Sequence, residues 1–385
     1  MVSYHIFCLP RGTMRLLWIS GRDLEKDLAG TTELNLCEQL YKSGCEISFL
    51  SPGSNKSDFI EHISLKTLDF PGLKTISGAR DASRILGLMD LQEHDILLID
   101  WRYVWLLRGR IGSLKSPWCI IDRGPPATSG SVGGRIRREL LANLQKIFWR
   151  RGWSLAEKSA SKGFVVSTEH ESIIRTYAPE LDVGVIPAGC QQIDGKTSKK
   201  DPRETLSLAY IGRIDKKRGL SEILNLSKKL EENGINHTIS IAGEGDMGGF
   251  FENVASKNAN IVYLGRIEKK EISVLLKQQH IGLMPMPNIP VWRISSPLKL
   301  SEYLAHGLAI IGPKHPGNTL ENPGLWSMLT IGPDWTDGAL REIKSAIADG
   351  WGEVEKSAFL SSVGMSWEKI GRNLFEEISE VAKIH

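Results

Sequence analysis

VWRISSPLKLSEYLAHGLAII, residues 291–311, sets the interpretation of the whole chain. Ser295, Ser296 and Pro297 form a helix start: two hydroxyl caps, then a proline at or near the first helical position. Leu298, Leu300, Tyr303 and Leu304 fall at helical spacing, and Gly307 supplies the left-handed residue on which such a helix ends. Residues 308–311 are then a short apolar run of the kind a buried parallel strand shows. The free N–H groups and dipole of a helix N-terminus favour phosphate. Glu302, about two turns in, is the only acid on this helix.

Around this segment, the 385 residues suggest about two domains. In the first half, residues 16–19 are apolar, 21–30 polar and loop-like, 31–41 helically periodic, and 44–50 apolar again. Strand, loop, helix and strand in that order argue for a parallel sheet with crossover helices. Residues 95–100 and 118–122 are further strands, each ending in an acid, Asp100 and Asp122. Ligands collect at the carboxyl ends of such strands, so both acids are candidates there; an acid that only caps the following loop reads the same way. Residues 191–203 are polar, lysine-rich and broken by Gly195 and Pro202, the composition of a linker. Beyond it the alternation resumes, with strands expected at 206–212, 238–243, 260–266 and 280–285, and a last helix from 366 to 383.

The segment from 295 to 311 resembles the donor-binding helix of the retaining GT-B glycosyltransferases of family 4. There the helix carries the second glutamate of an E-x7-E motif, which holds the ribose of a nucleotide sugar. Glu302 matches that position, whereas Ile294 stands at the first, and residues 272–301 contain no acid. Other elements resemble the family in the same order. Residues 182–189 are similar to the element that closes its N-terminal domain. Gly212, Arg213 and Arg218 are similar to its glycine and two diphosphate cations, with Arg218 in place of a lysine. Gly243 and Gly245 resemble a G-x-G turn near the nucleotide, and Gly265 precedes a loop that meets the base.

The resemblance implies two Rossmann-like α/β domains facing across a cleft: 1–200 for the acceptor, 201–365 for the nucleotide sugar, and a helix at 366–385 crossing back to the first. It implies transfer of a sugar from a nucleotide-diphosphate sugar to an acceptor hydroxyl with retention. Arg213, Arg218, Glu302 and Asp122 would be catalytic. Gly30, Thr31, Gly212, Gly243, Gly245, Gly265, Ser295, Ser296, Pro297, Leu298 and Lys299 would line the donor. No resident metal or other cofactor is implied. A glycine at 30 that merely permits a tight turn is the plainer reading of that position. A nucleotide- or lipid-binding subunit without activity and a GT-B sugar-nucleotide epimerase are the competing classes.

Composition narrows the setting. Hydrophobic residues make up 41% and charged residues 24%, and no apolar run approaches the roughly 20 residues of a membrane span. Five scattered cysteines form neither a disulfide framework nor a metal pattern, as in a reducing cytosol. Met14 could open the first strand, with 1–13 an extension. Residues 101–163 hold 13 Lys and Arg against 3 Asp and Glu, net +10, whereas the rest of the chain is net −7. Tryptophans at 101, 105, 118, 149 and 153 are interleaved. That mixture suits an anionic membrane surface on the cytoplasmic side, with a lipid-linked acceptor. Nucleic acid would use the same charge, but no nucleic-acid motif accompanies it. A solvated helical face whose aromatics belong to the core is the third reading.

Overall fold

The computed structural model describes residues 13–384 apart from 26, 28, 29, 69, 71, 72, 125, 127–134, 194–198 and 333. Residues 1–12 and the middle of the expected linker therefore lie outside the described residues. The chain divides into two compact units, Met1–Pro187 with Trp367–His385, and Ala188–Ser366. The division thus falls before the polar stretch at 191–203 rather than within it.

The first unit is a seven-stranded sheet. Its elements are β1 (Met14–Ile19), α1 (Gly30–Lys42), β2 (Cys45–Pro52), β3 (Glu61–Leu65), α2 (Leu73–Leu86), β4 (Ile96–Asp100), the short α3 (Trp101–Val104) and α4 (Arg108–Ile111), β5 (Trp118–Ile121), α5 (Arg135–Ser159), β6 (Lys162–Val165), α6 (Thr168–Ile174) and β7 (Val183–Val185). The order is β3-β2-β1-β4-β5-β6-β7, and every pairing is parallel. Continuous apolar runs such as Leu16, Leu17, Trp18 and Ile19 are fully buried, as a sheet covered on both faces demands. The order reverses between β1 and β4, which makes the carboxyl ends of those strands the place for a ligand.

The second unit repeats the plan with six strands: β8 (Leu206–Ile211), α7 (Ser221–Glu232), β9 (His237–Ala242), α8 (Gly248–Ala255), β10 (Ile261–Gly265), α9 (Lys269–Leu276), β11 (Ile281–Leu283), α10 (Pro290–Arg293), α11 (Leu298–Ala305), β12 (Ala309–Pro313), β13 (Ser327–Thr330), α12 (Trp335–Asp349) and α13 (Trp351–Val363). The order is β10-β9-β8-β11-β12-β13, again all parallel, with its reversal between β8 and β11. The last helix, α14 (Trp367–Ile384), belongs to the first unit. It lies against α1 so closely that a Cβ on Gly371 would stand 2.2 Å from the Cβ of Gln39. Lys162 fastens the same helix through Glu377 at 2.5 Å, while also pairing with Asp182.

Helix α11 starts differently from the sequence expectation. Pro297 is itself the N-cap, and no side chain caps the helix. The Ser295 hydroxyl donates to the carbonyl of Trp292 at 2.7 Å, and that of Ser296 accepts from the Ala188 amide at 2.9 Å. Both hydroxyls find partners outside the helix. Gly307 does end the helix with φ +68°, in the left-handed region.

Candidate functional site

Two polar groups of residues stand at the carboxyl ends of the two sheets. In the second unit the loops leaving β8 and β9 are laced together backbone to backbone. The Gly212 amide donates to Ala242, that of Ile214 to Glu244, and that of Met247 back to Ile214, each at 2.9 Å. A Cβ on Gly243 would lie 1.8 Å from the Gly212 carbonyl oxygen, and one on Gly245 2.3 Å from that of Ile214. The G-x-G spacing therefore has a packing cause: it lets two loops touch. The Gly265 carbonyl accepts from the Gly243 amide at 2.7 Å. Gly30 has a similar cause, since the backbone of Asp23 and Leu24 comes within 2.9 Å of where its Cβ would stand; Thr31 follows it in the first turn of α1.

These laced loops carry the cations. Arg213 is exposed and forks onto Asp215 at 2.8 and 3.2 Å. Arg218 reaches the same carboxylate at 3.7 Å and lies 4.8 Å from the centroid of the Trp292 ring. The hydrogen bond from Arg213, with the two guanidinium charges, holds Asp215 below the usual carboxylate range. Sequence reasoning passed over Asp215, Tyr210 and Trp292; a carboxylate two residues after an arginine carries no signature of its own.

On α11, Lys299 places its ammonium 4.1 Å from the centroid of Tyr210 and 3.9 Å from the sulfur of Met286. Burial, reinforced by the charge of Arg218, drives its pKa well below that of an ordinary lysine. Glu302 is pushed up to about 7 by burial, against the opposing pull of Lys269 and Lys299. Tyr303 is buried and its hydroxyl accepts from the Ile211 amide at 2.9 Å, tying α11 to the end of β8. Leu298 opens the helix and is partly exposed. Ile294 caps the preceding turn and is buried, so that position offers no carboxylate. The structure therefore gathers Gly212, Arg213, Arg218, Lys299 and Glu302 around the ends of β8 and α11.

In the first unit, the ends of β1, β4 and β5 hold a denser set of charges. Glu33 of α1 is fully buried, accepts from Ser20 Oγ at 2.8 Å and lies 3.5 Å from Arg22 Nε. Asp100 accepts the Arg102 amide at 3.0 Å and holds its guanidinium at 2.9 and 3.1 Å. Arg123 donates to the carbonyls of Ile186 and Pro187. Burial pushes the Glu33 carboxyl up to about 7 and lowers Arg123 to about 10.

Asp122 requires a correction. It is fully buried and accepts from the Gly124 amide at 3.0 Å, Trp149 Nε1 at 2.5 Å and Trp153 Nε1 at 3.2 Å, with His170 Nε2 at 3.3 Å. Burial alone would raise its pKa, but His170 and the donated hydrogen bonds outweigh it and hold the carboxyl low. The carboxylate is enclosed by groups of its own unit and orders them; it is not presented to an acceptor.

In the basic, tryptophan-rich stretch most of the aromatics belong to the core, as the third reading has it. Trp101, Tyr103, Trp118, Trp149 and Trp153 are buried in the core. Its residues 125 and 127–134 lie outside the described residues. Arg108 and Arg151 flank the ring of Trp105 at 4.8 and 5.1 Å. What α5 exposes is aliphatic: Leu140, Leu144 and Ile147, at one helical face, are 60%, 40% and 43% exposed. No helix among the described residues is long and apolar enough to cross a membrane, and none of their His, Cys, Asp and Glu groups gathers in threes as a metal site requires.

No protein-family model and no curated protein matches the chain. Solved structures do. Sucrose-phosphate synthase from Thermosynechococcus elongatus superposes with a TM-score of 0.75 at 13% identity, covering 97% of this chain and 100% of that one. WaaG, a glycosyltransferase involved in lipopolysaccharide biosynthesis, gives 0.66 at 12%, covering 94% and 99%. An Anabaena protein, HepE, solved in complex with UDP-glucose, gives 0.64 at 13%, covering 95% and 100%. The fold is GT-B. At these identities the likeness speaks for the fold alone, and the GT-B plan accounts for both parallel sheets and for the return of α14 to the first unit.

Proposed function

We propose that this GT-B protein is a glycosyltransferase that moves a sugar from a nucleoside-diphosphate sugar to an acceptor hydroxyl with retention. One observation carries the reading. Arg213 and Arg218 share a single carboxylate, Asp215, beside Lys299, while the Glu302 carboxylate faces burial with no hydrogen bond among the causes of its shift. A surplus of fixed positive charge next to such an acceptor matches a diphosphate joined to a ribose.

In this mechanism the bond between the anomeric carbon and the diphosphate oxygen breaks, and its electron pair stays on the diphosphate. Arg213, Arg218, Lys299 and the N-terminus of α11 stabilise the charge that develops there, which is the largest catalytic effect such a site offers. The acceptor hydroxyl forms the new bond on the same face and gives its proton to a diphosphate oxygen. Glu302 accepts from the ribose hydroxyls and so fixes the donor. Ser295, Ser296 and Pro297 shape the turn before α11, and Gly212 and Gly243 keep the loops close. Protein cations supply the positive charge, so no resident metal enters this reading.

The acceptor in this reading is a lipid-linked glycan or another cell-surface glycoconjugate, reached by a cytoplasmic enzyme resting on the inner face of a membrane. The exposed Leu140, Leu144 and Ile147, with Arg150 and Arg151 exposed beyond them, support it: aliphatic side chains enter the interface while cations meet anionic headgroups.

The test is thermal stabilisation by a panel of nucleoside diphosphates. A ligand at 100 times its Kd adds about 2.7 kcal/mol. A shift with one nucleoside diphosphate, followed by transfer from the matching labelled donor, is the expected result. No shift with any of them overturns the donor site.

A further inference from the structure

We infer that the first unit binds a phosphate group carried by the acceptor, on Arg22 and Arg102, beside the Glu33 carboxylate. The word acceptor rests on the glycosyltransferase reading; the phosphate site does not.

The placement comes first. Three adjacent strands, β1, β4 and β5, are each followed within three residues by an arginine: Arg22, Arg102 and Arg123. All three act electrostatically on the same carboxyl, that of Glu33. The side chain of Arg102 runs along the backbone next to Arg22, its Cδ 3.1 Å from where a Cβ on Gly21 would stand. This is the carboxyl edge of the sheet, at its reversal, where α/β folds gather ligands.

The pairing is incomplete. Arg102 is held by Asp100, but the ion pair of Arg22 among the described residues is with Glu33, at 3.5 Å. Among the described residues Arg22 Nε, Arg123 Nε and Glu33 Oε1 are buried without a hydrogen-bond partner. Asp122 attracts Arg102 and Arg123 only through space, since its oxygens are taken by Gly124, Trp149 and Trp153. Asp100 and Asp27 also attract Arg22 through space, but guanidiniums buried with unfilled hydrogen bonds are costly, and the cost is relieved when an anion arrives. Burial has already moved Glu33 toward its neutral form, which frees the guanidiniums to grip one. Arg22 and Arg102 keep 13% and 23% of their side chains exposed, so a ligand reaches both. Guanidinium forks suit the oxygens of a phosphate monoester.

The experiment measures binding to the full-length protein by calorimetry and melting, with inorganic phosphate, glucose 6-phosphate and glucose as probes, against chloride at equal ionic strength. Glucose 6-phosphate and phosphate bind wild type and glucose does not. Arg22→Gln weakens both by about tenfold or more, the loss of a charge-assisted contact. Glu33→Gln, which removes the competing carboxylate, tightens them. Arg213→Ala with Arg218→Ala, which removes the other anion site, leaves the binding that Arg22→Gln weakens. The inference is overturned if phosphate binds Arg22→Gln as it binds wild type, if binding disappears only in the Arg213/Arg218 variant, or if free phosphate binds and the sugar phosphate does not. Nucleoside diphosphates are run on the same variants. Their shift persists in Arg22→Gln if the donor reading holds, and its absence from every variant sinks that reading while leaving the phosphate site standing.

Discussion

Both sheets present arginines at the carboxyl ends of their strands, but they hold them in opposite ways. In the second unit Arg213 is exposed and shares Asp215 with a more distant Arg218, on loops joined by main-chain hydrogen bonds. In the first unit the charges are buried and interlocked: Arg102 on Asp100, Arg22 on Glu33, and Asp122 under two indoles and an imidazole. Exposed charges on a laced backbone can be removed with little effect on folding, because water screens them. Buried ones cannot, because removing one partner strands the other.

Asp122→Ala tests that division most severely. It leaves two indole N–H groups without their acceptor and His170 without its neighbouring charge, and a loss of about 3–5 kcal/mol of stability is expected in a denaturant melt. A variant as stable as wild type would show that Asp122 is not the hub of the first unit. The double change Arg213→Ala, Arg218→Ala is the opposite case. Its melting temperature should stay close to wild type, while turnover falls by about 10²–10³-fold, the scale of losing a donor to developing charge. Near-normal turnover would remove the diphosphate clamp.

A pH titration probes one buried carboxyl from each unit. Glu33 and Glu302 both have folded pKa values near 7, above their ordinary 4.5, so the native state binds more protons than the unfolded one. Stability should therefore fall as pH rises through the window between 4.5 and 7 and level off above it, by about 1–3 kcal/mol for each. Glu33→Gln should flatten its share of that slope; an unchanged slope would exclude Glu33 as its source. The smallest effect expected is that of Tyr303→Phe. The Ile211 amide loses its acceptor, at about 1 kcal/mol, and a nucleotide melting shift weakened only slightly would show that this hydroxyl holds the framework.

How much was legible follows from where the partners sit along the chain. Arg213, Arg218, Lys299 and Glu302 belong to two short segments, so the resemblance of those segments to a known family picked them out. Arg22 and Glu33 from the β1–α1 junction and Arg102 from the β4–α3 junction come together, and no local pattern marks them. The tryptophans of 101–163 left more than one reading open for a related reason. Helical spacing in α5 offers two apolar faces, Trp149 with Trp153 and Ala156, and Leu140 with Leu144 and Ile147. Periodicity by itself does not say which one the sheet covers.

Local pattern was enough to specify the alternation of strands and helices, the parallel class of both sheets, and the helix at 298–305 with its glycine stop. Backbone preference and apolar runs suffice for those. Packing between distant segments alone settled that Asp122 is sealed, that the serines before α11 cap nothing, and that three arginines converge on Glu33. Each of these depends on what a remote part of the chain places beside the residue, and burial by that part turns an ordinary side chain into a strongly shifted one.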